Sequence, residues 1–508
     1  MMLTKVKTAT LSGVKGYPVT VETDVHRGMP GFNIVGLADT TIREATQRIK
    51  PAIMNCGFRF PDEKVTVNLV PAAKPKEGSH FDLPIALGIM MLGENIREAE
   101  DTAFLGEVSL DGSVNPVRGV LPLALALRNA GIKNIVLPAG NAGEASILED
   151  VNILPSEHIR DAFKHVSGEK RIEKYRRRED PVRESAACTD FAQVIGQESV
   201  KRAIVIGAAG NHGMLMMGSP GCGKTMMARC IPGILPELTY EEKLEITGIY
   251  SVAGLLSEEQ PVVRRRPFRS PHHTITQAGL IGGGRKPRPG ELSLAHRGVL
   301  FLDELGEFDA RVIDAMRQPV EEGIIRINRD LEEVVFPSRV MVVIAANPCK
   351  CGNLWDERKL CTCTQKQIDS HRRKLMGPFG DRIDMHVKVN PVDREKLTDT
   401  KREGNREDTA SMRRKVVAAR AVQEDRYRGL GYSCNGELDE KGLKEYCSPD
   451  AEGRGMMIAA YDNLNLSMRG YNKILKIART IADLEGAECI GQRHIAEALM
   501  FRIDSDMH

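Results

Sequence analysis

Apolar and polar positions follow two different periods over residues 1–165. In Val19-Thr20-Val21-Glu22-Thr23-Asp24-Val25 and Val65-Thr66-Val67-Asn68-Leu69 every second side chain is apolar or β-branched, the pattern of a strand with one buried face. Thr40 to Cys56 instead spaces Ile42, Ala45, Ile49, Ile53 and Cys56 as a helix does, with Pro51 an expected irregularity. Leu83 to Leu92 reads as a second, more buried helix. Gly106-Glu107-Val108-Ser109-Leu110-Asp111-Gly112-Ser113-Val114 predicts a hairpin turning at Asp-Gly. The pattern is that of an α+β domain.

Residues 166–189 break it. Lys170, Arg171, Lys174, Arg176, Arg177, Arg178 and Arg183 alternate with acids around Pro181, and few apolar side chains remain. This composition suits a solvated linker, with a basic strap on nucleic acid as the alternative.

Over residues 190–392 the apolar runs become continuous. Met214-Leu215-Met216-Met217, Val299-Leu300-Phe301-Leu302 and Val340-Met341-Val342-Val343-Ile344-Ala345-Ala346 read as strands buried on both faces, hence an α/β domain. Between the last two, Gly323 to Arg329 and Val334-Val335-Phe336 flank a polar turn and predict a hairpin. Residues 393–508 turn helical. Met412 to Arg428 carries Val416, Ala419 and Val422 on one face; Ile474, Ile477, Ala478 and Ile481 mark a second helix, and Ile495 to Phe501 a third.

Composition narrows the setting. At 508 residues the chain exceeds one core, and about three domains are expected. A net charge of +2 is nearly balanced, so a polyanion must be met by a local basic surface. The eleven cysteines, with no secretory stretch in Met1 to Thr10, do not read as a disulfide framework. No run of about 18 apolar residues occurs, so no membrane span is expected, and the cytoplasm is the expected location.

The chemistry starts at Gly218-Ser219-Pro220-Gly221-Cys222-Gly223-Lys224-Thr225, a Gly-x-x-x-x-Gly-Lys-Thr loop between a buried strand and a helix. Glycines let backbone N–H groups approach a triphosphate, and the helix N-terminus adds a favourable dipole. Lys224 would reach the β/γ-phosphates of ATP and the Thr225 hydroxyl would ligate Mg²⁺. Asp303 and Glu304 end the next strand, as in a Walker B element: Asp303 would hold Mg²⁺ through water and Glu304 would polarise the attacking water. Asn347 ends the third strand. In a parallel sheet all of these gather at the carboxyl rim.

Cys349, Cys351, Cys361 and Cys363 form two Cys-x-Cys pairs, and four thiolates can surround a tetrahedral Zn²⁺. Reduced thiols are the alternative, and His371 is a substitute ligand. His272-His273 is expected to be structural, because adjacent side chains point apart. Arg264, Arg265, Arg266, Arg269, Arg285, Lys286, Arg288, Arg326 and Arg329, on an insert from Tyr250 to Arg285 and on the predicted hairpin, could line a polyanion channel.

Several stretches resemble known families. Pro75-Lys76-Glu77-Gly78-Ser79-His80 and Gly106 to Leu110 resemble the fold shared by the Lon proteolytic domain and ribosomal protein S5. The Lon serine falls on His80 (or Ser79) and its lysine on Leu121, so protease activity is not expected. Phe191 to Gln197 resembles the segment beside adenine in AAA+ proteins. Arg266 to Thr274, Pro289 to Gly298, Asn347 to Gly352, Gly377 to Asp384 and Leu466-Ser467-Met468-Arg469 resemble the Mg-chelatase-like AAA+ family and, more narrowly, the YifB/ComM proteins. That resemblance spans essentially the whole chain.

It implies an AAA+ P-loop NTPase core with a helical lid, working as a homo-hexameric, ATP-driven motor on branched or single-stranded DNA. ComM-type members are branch-migration helicases in natural transformation. It also implies roles: Asn347 as sensor 1, Arg382 against a neighbour's nucleotide, and Arg469 as sensor 2, touching the γ-phosphate in cis. A magnesium-chelatase-like metal-insertion motor and an ATP-gated DNA-binding scaffold are the alternatives.

Overall fold

Strand β1 (Met2–Ser12) returns through a tight turn into β2 (Lys15–His26), and the two pair antiparallel along their whole length, from Met2↔Val25 to Ser12↔Lys15. The computed structural model describes residues 2–94, 96, 98–176, 190–284, 286–329, 332–356, 359–377, 379–391, 407–464 and 466–502. The linker arginines Arg177, Arg178 and Arg183, the insert residue Arg285, the side chain of Arg329 and the first part of the helical region, 393–406, lie outside the described residues.

With β3 (Gly31–Val35), β4 (Lys64–Val70), β5 (Glu98–Phe104), β8 (Asn134–Pro138) and β9 (Asn152–Ser156), the hairpin forms a seven-stranded mixed sheet in the order β3-β4-β2-β1-β5-β8-β9. Val65, Val67 and Leu69 face inward, as their alternation requires. The short strands β6 (Glu107–Val108) and β7 (Val114–Asn115) pair across the Asp111-Gly112 turn. Helix Asp82–Gly93 is buried all round, whereas helix Thr40–Asn55 buries the stripe Ile42, Ala45, Ile49, Ala52 and Ile53. Pro51 lies inside the latter helix without ending it. It removes one N–H donor, and the buried stripe on either side holds the helix together. His80 and Leu121, the residues that the Lon resemblance sets at the dyad, are both buried; His80 Nε2 is 2.9 Å from the Ala9 carbonyl oxygen.

The second sheet is all parallel, in the order β11 (Phe268–Arg269), β14 (Val299–Leu302), β17 (Met341–Ala346), β10 (Met214–Gly218), β18 (Met385–Val389). Its continuous apolar runs fill two cores. Met214, Met216, Phe301 and Val343 face one core, and Leu215, Met217, Leu300 and Ile344 face the other. The first core is closed by helices Thr409–Arg426 and Met468–Leu484 through Met412, Val416, Ile474, Ile477 and Ala478. Val422, expected on that apolar face, is exposed; Gln423 is buried instead, its Oε1 accepting from the Asn435 N–H at 3.0 Å.

The stretch from Tyr250 to Arg285 is not one projection. Its middle, Phe268-Arg269, is the edge strand β11, and Val262 is buried among apolar residues of the first unit. Hairpin β12 (Gly282–Gly283) and β13 (Arg288–Pro289) follows, and its connecting segment sets Lys286 Nζ 2.8 Å from Asp39 Oδ2 of the first unit. The predicted hairpin is present as β15 (Ile324–Arg329) and β16 (Glu332–Pro337). The β1–β2 turn abuts it: a Cβ on Gly13 would lie 2.8 Å from Val334 Cγ1.

Candidate active site

The phosphate loop leaves the carboxyl end of β10 where the winding reverses: from β10 the chain runs to the β11 edge, and from β17 it crosses back past β10 to β18. Ligands collect at such switch points. Gly221 and Gly223 take φ of 80° and 90°, and a Cβ on either would meet nothing within 4 Å, so the loop is an open cradle. Gly218 is required for a different reason: a Cβ there would lie 2.2 Å from the Val389 carbonyl oxygen. Ser219 Oγ is buried without a partner among the described residues. Open donors around a buried orphan hydroxyl, at the start of helix Lys224–Ile234, fit a polyphosphate.

The rim brings four expected residues together. Lys224 Nζ donates to the carbonyls of Gly218 (2.6 Å) and Ser219 (3.1 Å) and to Asn347 Oδ1 (3.3 Å). Thr225 Oγ1 donates to Asp303 Oδ2 at 2.9 Å. A hydroxyl beside a carboxylate is the donor set Mg²⁺ takes at a phosphate. Glu304 is exposed next to them, in the left-handed region at φ 52°, with its N–H on Asp303 Oδ1. A non-glycine residue held there costs of order 1–3 kcal/mol and marks a constrained position.

The cysteines converge just behind Asn347. Among the described residues, Cys349, Cys351, Cys361 and Cys363 place their sulfurs within 4.8 Å of one another. The Sγ separations Cys349–Cys351, Cys351–Cys361 and Cys349–Cys361 are 3.4, 3.6 and 3.7 Å. Tetrahedral Zn²⁺ with Zn–S of about 2.3 Å needs sulfurs about 3.8 Å apart, so the four fit it. His371 is not in the cluster: its Nε2 lies 2.9 Å from the Asn347 carbonyl oxygen. The cysteine loop also touches the phosphate loop, since a Cβ on Gly352 would lie 2.6 Å from Pro220 Cδ.

Arg382 and Arg469 lie elsewhere. Arg382 just precedes β18 and Lys224 follows β10, and these strands are parallel with Met214↔Met385. The five residues of β10, at about 3.3 Å each, separate the two ends. Arg469 sits with Arg382, because Lys473, one turn further along its helix, donates to the carbonyls of Asp381 (2.5 Å) and Ile383 (3.0 Å). Burial lowers the Lys473 pKa to about 8. Both arginines share Glu321, whose Oε1 is 3.2 Å from Arg382 Nε and 2.9 Å from Arg469 Nη2. Arg382, Arg469, Lys473, Asn211 and Gly213 line one open cavity of about 780 Å³. Among the described residues Arg469 thus pairs with Glu321, and the packing of helix Met468–Leu484 sets it at the edge that Arg382 occupies rather than at the phosphate-loop rim.

Other expectations change too. Arg266 bonds Glu242 and the Pro236 and Arg297 carbonyls, and Arg269 forms a two-point ion pair with Glu291 at 2.6 Å, so both serve internal structure rather than a channel. Arg265, Arg288 and Arg326 remain exposed. The His272 and His273 rings do not point apart; their centroids are 4.0 Å apart in an irregular segment where strand alternation does not apply. Glu321 and Lys473 were missed. Lys473 could have been found four residues after Arg469 on one helix face, whereas nothing local singles out Glu321.

The description "Magnesium chelatase, subunit ChlI" matches residues 190–397, its C-terminal counterpart matches 406–502, and "Subunit ChlI of Mg-chelatase" matches 21–141. Competence protein ComM of Haemophilus influenzae is 38% identical over 500 residues, covering 96% of this chain and 95% of that protein. Uncharacterized protein YifB of Escherichia coli is 36% identical over 504 residues, covering 99% and 97%. The magnesium-chelatase 38 kDa subunit of Cereibacter sphaeroides is 22% identical over 335 residues, 60% of this chain and 88% of that one.

Proposed function

The chain belongs to the YifB/ComM family, with magnesium-chelatase-like AAA+ domains, and from that premise we propose that it is an ATP-hydrolysing motor acting on DNA as a ring of identical subunits. One observation carries the shared site. Lys224, Thr225, Asp303 and Asn347 meet at one end of the sheet, while Arg382 and Arg469 stand at the other, joined through Glu321 at an open cavity. A ring that sets one subunit's arginines against the next subunit's phosphate loop completes the site, and a hexamer is the assembly we propose.

In that site Lys224 and the loop N–H groups bind the triphosphate. Asn347 orients the attacking water and Glu304 takes its proton. The neighbour's Arg382, with Arg469 beside it, neutralises charge building on the γ-phosphoryl. Thr225 and Asp303 would hold Mg²⁺, which when bound screens the phosphate oxygens. The four cysteines would hold Zn²⁺ as a closed structural site bracing Asn347 and Pro220.

DNA is the substrate we assign, with exposed Arg265, Arg288 and Arg326 as phosphate contacts, and branch migration is the activity. The name of the Haemophilus relative, a competence protein, supports a role in recombination or natural transformation. The matches to magnesium chelatase keep a metal-insertion motor as the second reading. ATP turnover and strand displacement, measured together on a three-stranded branched DNA, test the proposal. Turnover that DNA leaves unchanged, with no strand displaced, would overturn it.

A further inference from the structure

Two consecutive carboxylates end helix Arg317–Glu322, and they face different machinery. Glu321 holds Arg382 and Arg469, as described. Glu322 Oε2 is 3.8 Å from Arg326 Nε on β15, and Arg326 Nη1 also reaches Glu333 Oε1 on β16 at 3.1 Å. Arg326 is exposed, so a phosphate can compete with both carboxylates for its guanidinium.

The helix and the hairpin are tied at their base. Gly323 makes the turn between them at φ 68°, where a Cβ would lie 2.8 Å from Arg339 Cγ. Just past the far strand, the Ser338 N–H donates to the Gly323 carbonyl at 2.8 Å and its hydroxyl to the Pro319 carbonyl at 3.0 Å. A tilt of β15–β16 therefore carries the end of the helix with it. The arginines belong to a second body, in which Lys473 clamps the carbonyls on both sides of Arg382. Glu321 joins the two. One carboxylate against two guanidiniums leaves the pair net positive, so it still attracts a phosphate while its direction is set by the Glu321 oxygen.

We propose that Glu321 is a positioning residue that transmits occupancy of the β15–β16 hairpin by a nucleic-acid backbone to Arg382 and Arg469. The proposal rests on the reading of the chain as a DNA-stimulated ATPase with a shared site. The hairpin is the two-state element: Arg326 pairs either with Glu322 and Glu333 or with phosphate, and Glu321 moves with it.

The test uses the full-length wild type, Glu321→Gln and Glu321→Asp, with a single-stranded oligonucleotide as the probe. ATP turnover with and without DNA, KM for ATP and DNA affinity are measured for each. In Glu321→Gln the stimulation by DNA should fall by about fivefold or more, with DNA affinity unchanged. Glu321→Asp, which keeps the charge, should regain part of it. A merely structural role would lower both rates together and leave their ratio intact. An intact ratio in Glu321→Gln, with the wild type stimulated, overturns the role of Glu321 alone. A wild type whose turnover ignores DNA overturns the DNA-motor reading, and the coupling with it.

Discussion

The Thr225 hydroxyl donates to Asp303 Oδ2 at 2.9 Å although the two stand 78 positions apart in the sequence. One comes from the start of a helix and the other from the end of a strand two places away in the sheet, with β17 between. Lys224 reaches across to Asn347 in the same way, at 3.3 Å. Glu304 makes neither contact, so binding and water activation should separate.

Glu304→Gln should keep ATP affinity while slowing hydrolysis by about 10²-fold or more, because the amide cannot take the proton of the attacking water. Lys224→Ala should weaken binding as well. Nucleotide affinity and single-turnover hydrolysis, measured side by side, check this; unchanged turnover in Glu304→Gln would remove it from the mechanism.

Purified protein should carry about one zinc per chain, read by elemental analysis after reducing, chelator-free purification. Cys351→Ser with Cys361→Ser should abolish it. Gly352→Ala should keep the zinc yet weaken ATP binding, because the new Cβ at φ 80° presses on Pro220. Protein that is fully folded and free of zinc would rule out the metal site.

Mixing variants tests which chain supplies each arginine. Arg382→Ala and Arg469→Ala, each nearly inactive alone, should each recover activity when mixed with Glu304→Gln. Random assembly leaves roughly a quarter of interfaces intact. Mixed with each other, they should not recover, because no subunit then offers both arginines to one neighbour. Recovery in that last mixture, with subunit exchange verified, would return Arg469 to its own chain.

Stability should rise with pH between 4 and 6.5. Burial lowers the pKa of both His80 and His212 to about 4, from an ordinary value of 6.5. His212 meets Thr480 Oγ1 at 2.8 Å, with Asp384 at 3.9 Å. Across this window the unfolded chain binds protons that the native histidines refuse. Each therefore contributes a slope of at most about 1.4 kcal/mol per pH unit, rising with pH. Asp82, raised to about 6 mainly by burial and despite its Arg48 partner, opposes this below pH 6, since there the native state keeps a proton that the unfolded chain releases. Thermal unfolding from pH 4.5 to 7.5 should show a melting temperature that climbs to pH 6.5 and then levels. A flat profile below pH 6.5 would contradict it.

Much of the candidate site could be read before any fold was known. Gly218 to Thr225, Asp303-Glu304 and Asn347 each sit within a few residues of a buried apolar run, so strand period and motif chemistry suffice to put them on one rim. The four cysteines were visible as two close pairs. Their convergence within 4.8 Å was not, because it depends on the loop between the pairs folding back.

Long-range packing decided the rest. Arg266 and Arg269 look like any exposed basic run until Glu242 and Glu291 are found beside them. Arg469 was recognisable, but its direction depends on where helix Met468–Leu484 docks, and Lys473 sets that through carbonyls about 90 residues earlier. Glu321 gives no local signal. Backbone periods and contiguous motifs are encoded among covalent neighbours, whereas the partner of a charge is chosen by which surfaces burial brings together.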